Sequence, residues 1–348
     1  MRIAIVTDAW WPQINGVVTT LDQTRHELES MGHEVAMITP QGARTVGLPT
    51  YPDIRLTLRA GRQVRRALDA LEPDAIHIVT EGPLGLAARR YCRRLDLPFT
   101  TSFHTRFPEY IRERLAFVPL AWGYAFLRWF HRPAARTMVT NATMAKELAQ
   151  HGMGDLVLWS RGVDTELFRP RSEAYWDLAP PVFMYMGRVS VEKNLEAFLR
   201  LPLPGTKVVV GDGPARAQLE RAYPEAAFTG FKTGADLAAH LASADVFVFP
   251  SRTDTLGLVL YEAMACGVPV AAYPVQGPRN VVTQGETGFL DEDLGQAAMD
   301  AVTLDRRSCR RFALEHSWRR ATQEFLGQLA PREPACEPLA LSPPKEEG

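Results

Sequence analysis

One stretch of the chain, residues 250–270, carries two carboxylates at a spacing that could support chemistry. It follows an apolar strand predicted at 246–249 and should enter a helix within a few positions. Asp254 lies at the start of that helix, where the helix dipole favours a negative charge, and Glu262 follows eight residues later. Eight residues span a little over two helical turns, so both carboxylates lie on roughly one face, where they could hold hydroxyl groups.

The turn between this strand and this helix could bind an anion. It contains Leu256, Gly257 and Leu258, and its backbone N–H groups join a helix N-terminus at the carboxyl edge of a sheet. Phosphates would bind the N–H groups and a ribose would bind Glu262, an arrangement that suits a nucleotide sugar. The alternative is a core strand–helix unit in which Asp254 is a cap and Glu262 has no role in binding.

Two cations lie at another predicted junction between a strand and a helix. Arg188 and Lys193 follow the strand predicted at 182–186 and are five residues apart. Arg offers a planar fork of donors and Lys a point charge, and together they suit a diphosphate. Ordinary exposed charges are the alternative interpretation.

Two residues of the first half lie where open α/β sheets bind ligands. His104 comes directly after the strand predicted at 99–103, at its carboxyl end. Gly16 precedes a helix predicted at 17–31, and without a side chain it would let a ligand approach backbone N–H groups. A structural histidine and a simple turn glycine are the alternatives. The GxGxxG fingerprint is missing from this segment, so we expect no tightly bound dinucleotide cofactor.

Taken together, these segments resemble the motifs of retaining family 4 glycosyltransferases of the GT-B fold. The acidic-x7-Glu signature lies at Asp254 and Glu262, and the family usually has Glu where this chain has the shorter Asp254. A GR-x4-KN element lies at 187–194, and TSFHTRFPEY at 101–110 resembles the catalytic-centre loop of the family. An RGVD-x3-F-x-P element at 161–170 resembles the point where the chain of such enzymes enters its second domain.

The resemblance implies a role for each of these residues. Arg188 and Lys193 would neutralise the donor pyrophosphate, and His104 would hold the reacting sugar. The implied catalytic residues are His104, Asp254, Arg188 and Lys193. The implied donor-binding residues are Gly16, Arg188, Lys193, Gly211, Gly213, Phe231, Leu256, Gly257, Leu258 and Glu262. Family chemistry implies attack from the front face, with the departing phosphate oxygen helping to take the acceptor proton.

Length and element order predict an α/β protein with the GT-B architecture. With 348 residues the chain exceeds one ordinary core and fits two facing Rossmann-like domains, each a doubly wound parallel sheet, with a cleft between them. We expect an N-terminal, acceptor-binding domain at 1–165 and a C-terminal, nucleotide-sugar-binding domain at 166–316. A crossover helix at 317–330 would return to the first domain, and 331–348, rich in Pro and Glu, would be a disordered tail.

Composition excludes several classes of protein. The four cysteines are scattered without paired spacing, which argues against a disulfide framework or a zinc site and favours a reducing compartment. The apolar run in the first residues is too short for a signal peptide. The sequence also contains no run of about 18 or more apolar residues, the length needed to cross a membrane. No DxD metal signature lies between a strand and a loop, and Asp291-Glu292-Asp293 is interpreted as an acidic turn, so we expect a cytoplasmic, metal-independent protein with no cofactor and no nucleic-acid partner.

The distribution of charge suggests contact with an anionic membrane surface. Residues 1–170 carry 21 Lys and Arg against 17 Asp and Glu, whereas the remainder is acidic. Five arginines between positions 55 and 66 occur without an intervening acid, and four more lie between 89 and 94. An aromatic segment at 117–129 could lie in a lipid interface. Solvated helix faces and a buried pair of helices are the alternatives.

The sequence therefore predicts a retaining hexosyltransferase that uses a UDP- or GDP-linked sugar. The first-domain motifs resemble bacterial lipid glycosyltransferases and GDP-mannose-dependent α-mannosyltransferases, which implies a membrane lipid headgroup as acceptor, such as diacylglycerol or a glycolipid, and attachment at the inner face of the membrane. A soluble sugar or polysaccharide acceptor is the alternative. A nucleotide-sugar epimerase of the same fold is a further alternative, and the GR-x4-KN element and the Asp254/Glu262 pair argue against it. A non-catalytic membrane-binding module would not need Arg188, Lys193 and Glu262 together.

Overall fold

The computed structural model describes residues 1–13, 16–48, 51–104, 119–172, 175, 177–254 and 257–332. Within these ranges the chain forms two six-stranded parallel sheets covered by helices, together with one short antiparallel pair. The predicted α/β class with two parallel sheets is confirmed. Predictions that involve Leu256, residues 105–118 or most of the tail lie outside the described residues.

The first half of the chain builds one sheet and the helices on its two faces. Its strands are β1 Arg2–Val6, β2 Glu34–Ile38, β3 Thr45–Leu48, β4 Tyr51–Thr57, β5 Ala75–Ile78, β6 Thr100–Phe103, β7 Arg136–Val139 and β8 Leu156–Leu158. Its helices are α1 Gly16–Ser30, α2 Ala60–Leu71, α3 Pro83–Arg94, α4 Leu120–His131 and α5 Ala142–Gln150. The sheet order is β2-β1-β5-β6-β7-β8, and β3 pairs with β4 outside it.

The second half repeats this plan. Its strands are β9 Val182–Met186, β10 Thr206–Val210, β11 Ala227–Gly230, β12 Val246–Phe249, β13 Val270–Ala272 and β14 Gly288–Leu290, in the order β11-β10-β9-β12-β13-β14. Its helices are α6 Leu195–Leu199, α7 Arg216–Ala222, α8 Gly234–Ala242, α9 Leu258–Ala265, α10 Gln276–Arg279, α11 Leu294–Ala301, α12 Arg306–Leu314 and α13 Trp318–Gln328. A 3₁₀ turn at Val191–Lys193 follows β9.

The strand orders explain where a ligand can bind. Strands β9 and β12 are buried along their whole length, as expected for parallel strands with helices on both faces. The direction of winding reverses between β9 and β12 in the second sheet, and between β1 and β5 in the first. Loops that leave such a switch point diverge and open a crevice at the carboxyl ends of the strands. Arg188 and Lys193 follow β9, and Asp254 follows β12, so they flank the crevice of the second sheet.

Two chain segments run side by side between the two halves. Val163 N–H donates to the carbonyl of His316 at 2.9 Å, and a Cβ on Gly162 would lie 2.4 Å from the backbone of Trp318. Helix α13 then packs on the first sheet, where the fully buried Phe325 lies 4.8 Å from Trp159 between ring centroids. These paired segments, residues 160–163 and 316–318, are called the junction below.

In the part of the chain that the structure describes, no helix has both the length and the apolar character needed to cross a bilayer.

The close approach at the junction predicts that Gly162→Ala destabilises the protein. The new methyl group would overlap Trp318 backbone atoms, which cannot yield as a flexible side chain can, so we expect a loss of about 1–3 kcal/mol in the free energy of unfolding. Urea unfolding measures this loss. Gly327→Ala in α13 is the matched control, because nothing lies within 4 Å of its Cβ position. Equal stability of the two variants would contradict the packing described here.

Candidate functional site

A short ion pair joins the two loops at the switch point of the second sheet. Lys193 Nζ lies 2.6 Å from Asp254 Oδ1, and both side chains are about three-quarters buried. The loops are tied a second time by Asn194, whose amide donates to the carbonyl of Pro250 at 3.1 Å. Asn194 has a φ of 55°, a left-handed conformation that Asn tolerates better than most residues. The cation and the carboxylate therefore occupy one preorganised position.

The helix after Asp254 starts later than the sequence indicates. It begins at Leu258, and Gly257 before it has a φ of 83°, which favours glycine. Asp254 is thus a loop residue that pairs with Lys193, and the expectation that it lies at the start of this helix is wrong. The physical reason is the partner: an ammonium group at 2.6 Å holds the carboxylate more strongly than a partial helix charge would.

The second carboxylate oxygen of Asp254 is buried and has no hydrogen-bond partner among the described residues. A buried acceptor left unpaired in this way costs free energy. It would gain a partner if a hydroxyl group of a ligand entered the crevice and donated to it.

Glu262 lies in the second turn of α9 and is only half-buried. Burial nevertheless raises the pKa of its carboxyl to about 7. Within the described ranges no cation and no hydrogen bond holds this carboxylate, so nothing offsets its desolvation. A ligand with hydroxyl donors would stabilise the ionised form.

Arg188 and the glycine turns complete this edge of the second sheet. The Arg188 side chain is exposed, while its carbonyl accepts a hydrogen bond from Tyr185 at 2.8 Å. A Cβ on Gly211 would lie 1.9 Å from the carbonyl oxygen of Gly187, and one on Gly213 would lie 2.3 Å from that of Val189. The turn after β10 is thus pressed directly onto the turn after β9.

Phe231 comes directly after β11, the edge strand on this side of the sheet, and is 65% exposed. It is available for stacking against a planar group.

The first sheet meets the second at Gly16. A Cβ built on Gly16 would lie 3.9 Å from Leu258 Cδ1, so the start of α1 faces the start of α9 across the crevice. Both helices present their N-termini there. The structure therefore brings together Gly16, Gly257 and Leu258, and Leu256 lies outside the described residues.

His104 lies at the end of β6 with both ring nitrogens engaged. Arg161 donates to Nδ1 at 2.9 Å, and Nε2 lies 2.8 Å from the hydroxyl of Ser102. Burial, the charge of Arg161 and the proximity of His77 hold the pKa of His104 well below its usual value. The ring is therefore neutral, and a ligand would have to compete with Ser102 for it.

Arg161 contacts His104, although no local sequence pattern indicates that it would. Arg161 is 4% exposed and also donates to the carbonyls of Trp159 and Ser160, at 3.0 and 3.1 Å. Its guanidinium lies 4.5 Å over the indole of Trp159. The RGVD motif was interpreted only as the interdomain crossing. An arginine directly before Gly162 at a junction was the available signal.

The arrangement suits a ligand that carries both phosphates and hydroxyl groups. The two cations of the loop after β9 lie at the same sheet edge as the start of α9, while the carboxylates of Asp254 and Glu262 offer acceptors. Among the described residues, His, Cys, Asp and Glu side chains form no group of three that could hold a metal ion.

Comparisons with known proteins agree with the motif resemblance. The family model for glycosyltransferase family 4 matches residues 14–167, and the model for glycosyl transferases group 1 matches residues 180–304. Both halves of the chain are thus matched by glycosyltransferase models.

Proteins of known function align over almost the whole chain. A GDP-mannose-dependent alpha-mannosyltransferase of Mycobacterium tuberculosis is 31% identical over 94% of this chain and 96% of its own. A sulfoquinovosyl transferase of Arabidopsis thaliana is 32% identical over 95% of this chain and 70% of its own. A GDP-mannose-dependent alpha-(1-6)-phosphatidylinositol dimannoside mannosyltransferase of M. tuberculosis is 29% identical over 94% of this chain and 96% of its own.

Solved structures share the fold at lower identity. A sucrose-phosphate synthase from Thermosynechococcus elongatus superimposes with a TM-score of 0.72 at 20% identity, over 94% of this chain and 97% of its own. Anabaena HepE, in complex with UDP, gives a TM-score of 0.67 at 17% identity, over 94% of this chain and 99% of its own. The predicted GT-B fold is confirmed. The chain belongs to glycosyltransferase family 4 and is a GT-B glycosyltransferase that uses nucleotide sugars.

Proposed function

We propose that this protein is a retaining, metal-independent hexosyltransferase that moves a sugar from a nucleoside-diphosphate donor to a hydroxyl group of a membrane lipid. The observation that carries the proposal is the Lys193–Asp254 pair at the switch point, with its unpartnered carboxylate oxygen. It places a positive charge for phosphate beside an acceptor for a sugar hydroxyl. GDP-mannose is the first candidate donor, since two of the three relatives described above are named for it; UDP-linked hexoses are the alternative.

The donor would bind along the edge of the second sheet. Lys193 and Arg188 neutralise its diphosphate, helped by backbone N–H groups at the start of α9. The ribose hydroxyls donate to Glu262, and the base lies beside Phe231 and the glycine turns. The phosphates would also face the N-terminus of α1 at Gly16, because that helix start lies opposite Leu258.

The reaction breaks the bond between the anomeric carbon and the phosphate oxygen. Negative charge then develops on the diphosphate, and Lys193 and Arg188 stabilise it in a site that needs little reorganisation. The acceptor hydroxyl attacks from the face that the diphosphate leaves, and the departing phosphate oxygen takes its proton. The hydrogen bonding of His104 supports this route, because Arg161 already occupies the Nδ1 lone pair that a general base would need.

A basic and aromatic surface on the first half supports a lipid acceptor. Helices α2, α3 and α4 pack in one row on one face of the first sheet, joined by a common apolar core. On α4, Trp122 is 71% and Trp129 is 50% exposed. Beside Trp129, a cavity of about 760 Å³ is lined by Arg89, Arg93, Arg128 and Arg132. Exposed tryptophans flanked by arginines are typical of surfaces that lie on anionic lipid.

The exposed side of α2 extends this surface. Arg62, Arg65 and Arg66 all point away from the buried residues Val64 and Leu68. A protein held by this face of the first sheet would keep the carboxyl edge of β1 and β6, and therefore Gly16 and His104, near the headgroups.

The proposed donor site predicts that one nucleoside diphosphate raises the melting temperature and that Lys193→Ala weakens this effect. Loss of a charge-assisted contact should cost about 1.5–3 kcal/mol, or roughly a 10- to 150-fold increase in Kd. Thermal shift with GDP, UDP and ADP, each with and without EDTA, measures the effect and names the base.

Lys146→Ala is the control for this experiment, because Lys146 is an exposed lysine on α5 of the first sheet. Its response to nucleotide should equal that of the wild type. A nucleotide effect that disappears with EDTA would refute metal independence, and an unchanged response of Lys193→Ala would remove Lys193 from the donor site.

The pKa of Glu262 predicts that donor affinity depends on pH. The carboxyl of Glu262 has a pKa of about 7 in the free protein, and ribose hydroxyls need its ionised form. Below about pH 7 the carboxyl is protonated in the free protein, so binding must release a proton. The Kd should therefore rise about tenfold for each unit by which the pH falls below 7. Calorimetry with an intact nucleotide sugar measures this, because such a donor has no terminal phosphate that titrates in the same range.

Glu262→Gln separates Glu262 from other titrating groups. This variant should bind the donor more weakly and without the pH dependence. A wild-type Kd that stays constant between about pH 5.5 and 8 would contradict the assigned role.

The basic surface predicts binding to anionic vesicles. Each arginine near an anionic bilayer contributes about 1 kcal/mol, so alanine at Arg62, Arg65 and Arg66 together should reduce vesicle binding by roughly 100-fold. Pelleting with phosphatidylglycerol vesicles, against neutral vesicles, measures it. Alanine at Arg221, Arg307 and Arg320 removes the same charge from other exposed positions and should have little effect. Equal losses in the two variants would remove this surface from the proposal.

A further inference from the structure

A continuous chain of hydrogen bonds leads from the junction into the first sheet. It starts at Arg161, which donates to Nδ1 of His104 at 2.9 Å. It continues from Nε2 of His104 to the hydroxyl of Ser102 at 2.8 Å, and from there to Nε2 of His77 at 3.1 Å. It ends at the hydroxyl of Thr100, 2.9 Å from Nδ1 of His77.

The first member of this chain determines the proton positions in the next. A guanidinium has donors only and stays charged at neutral pH, so Nδ1 of His104 must be the acceptor. A neutral imidazole then carries its single proton on Nε2. The hydroxyl oxygen of Ser102 accepts a hydrogen bond from this N–H group, and the hydroxyl can donate its own hydrogen bond to Nε2 of His77.

Further contacts fix the position of the Arg161 guanidinium. Its other terminal nitrogen donates to the carbonyls of Trp159 and Ser160, and its plane lies on the indole of Trp159. Among the described residues, no carboxylate pairs with this 4% exposed guanidinium. The residue that faces it from the second half is Tyr261, the neighbour of Glu262 on α9. Burial lowers the pKa of Arg161 to about 10, so it remains charged at neutral pH.

We propose that Arg161 is a positioning residue that holds His104 as the neutral Nε2–H tautomer, so that His104 can offer a ligand only a hydrogen-bond donor. This inference rests on the proposed contact between His104 and the reacting sugar. The ligand atom at His104 is then an acceptor, a hydroxyl or phosphate oxygen, which shares Nε2–H with Ser102. His104 takes no proton from the acceptor.

Among the residues that the structure describes, no group near His104 would favour its protonation. Arg161 faces it from the junction, His77 from β5, Ser102 from its own strand, and the edge of Trp159 at 5.7 Å. A second proton would have to enter at Nδ1, against the guanidinium. Activity should therefore show no ionisation of His104 between about pH 5.5 and 8.

The wild-type protein provides the first test. Nitrogen-15 NMR on protein labelled at histidine reports which ring nitrogen carries the proton, and His104→Gln identifies the resonance. We expect an unprotonated Nδ1 and a protonated Nε2 throughout about pH 5.5–8. A proton on Nδ1, or a ring that titrates near its ordinary value of about 6.5, would overturn the proposal.

Arg161→Met and Arg161→Lys test the positioning role. Met fills the buried space without a donor, so the tautomer should become mixed. The value of kcat, measured at saturating donor so that the ionisation of free Glu262 does not contribute, should then fall about 10- to 100-fold and gain an acidic limb near pH 6.5. Lys keeps a charged donor and should restore the tautomer and the wild-type pH profile of kcat.

Arg310→Met is the matched control. Arg310 is a part-buried arginine that, like Arg161, donates to backbone carbonyls, here those of Phe168, Ala265 and Thr165, and its hydrogen bonds do not reach His104. It should leave the tautomer and the pH profile unchanged. If Arg161→Met keeps the wild-type tautomer, the proposal is wrong. The NMR measurement needs no donor or acceptor, so its outcome is independent of the proposed substrates.

Discussion

The structure depends on one constraint: the chain passes between its two sheets through two segments that touch each other. Backbone atoms of Gly162 and Trp318 are in van der Waals contact, and Val163 bonds to His316 beside them. With so little room, the carboxyl edges of the two sheets must face each other, as the contact of Gly16 with Leu258 indicates. Residues that lie far apart in the sequence can then contribute to one crevice. The junction also contains Arg161, which donates a hydrogen bond to His104 of the first sheet.

The crevice holds charges that the protein itself leaves poorly compensated. Counting only partners in the described ranges, Glu262 has no cation, Arg161 has no carboxylate, and one oxygen of Asp254 has no donor. Each costs stability, because a desolvated charge or acceptor needs a partner. Such costs are typical of sites that are preorganised for a ligand, since the ligand supplies the missing partners. Lys193 is the exception, and its pairing with Asp254 holds in place the cation that is proposed to bind the donor phosphates.

Local sequence patterns predicted most of the secondary structure. Helix α1 was expected at 17–31 and is observed at Gly16–Ser30, and strand β12 was placed correctly. The locations of Arg188, Lys193 and His104 at sheet edges were also predictable, because each follows a predicted strand. The pairs Lys193–Asp254 and Arg161–His104 were not, because they join residues 61 and 57 positions apart. The late start of α9 depends on the φ of Gly257, which no periodicity indicates.

The two glycines of the turn after β10 limit how the edge of the second sheet can be changed by mutation. Gly211 and Gly213 lie against carbonyl groups of the neighbouring turn, so neither position has room for a side chain. If the base binds beside these glycines as proposed, no library of substitutions at the two positions could change which base is accepted without displacing the turn after β9. Selectivity must instead be altered at places where side chains project freely, and the exposed ring of Phe231 is one of them. The proposed nucleotide-binding edge thus combines backbone positions that have no room for a side chain with an exposed side chain that can be replaced.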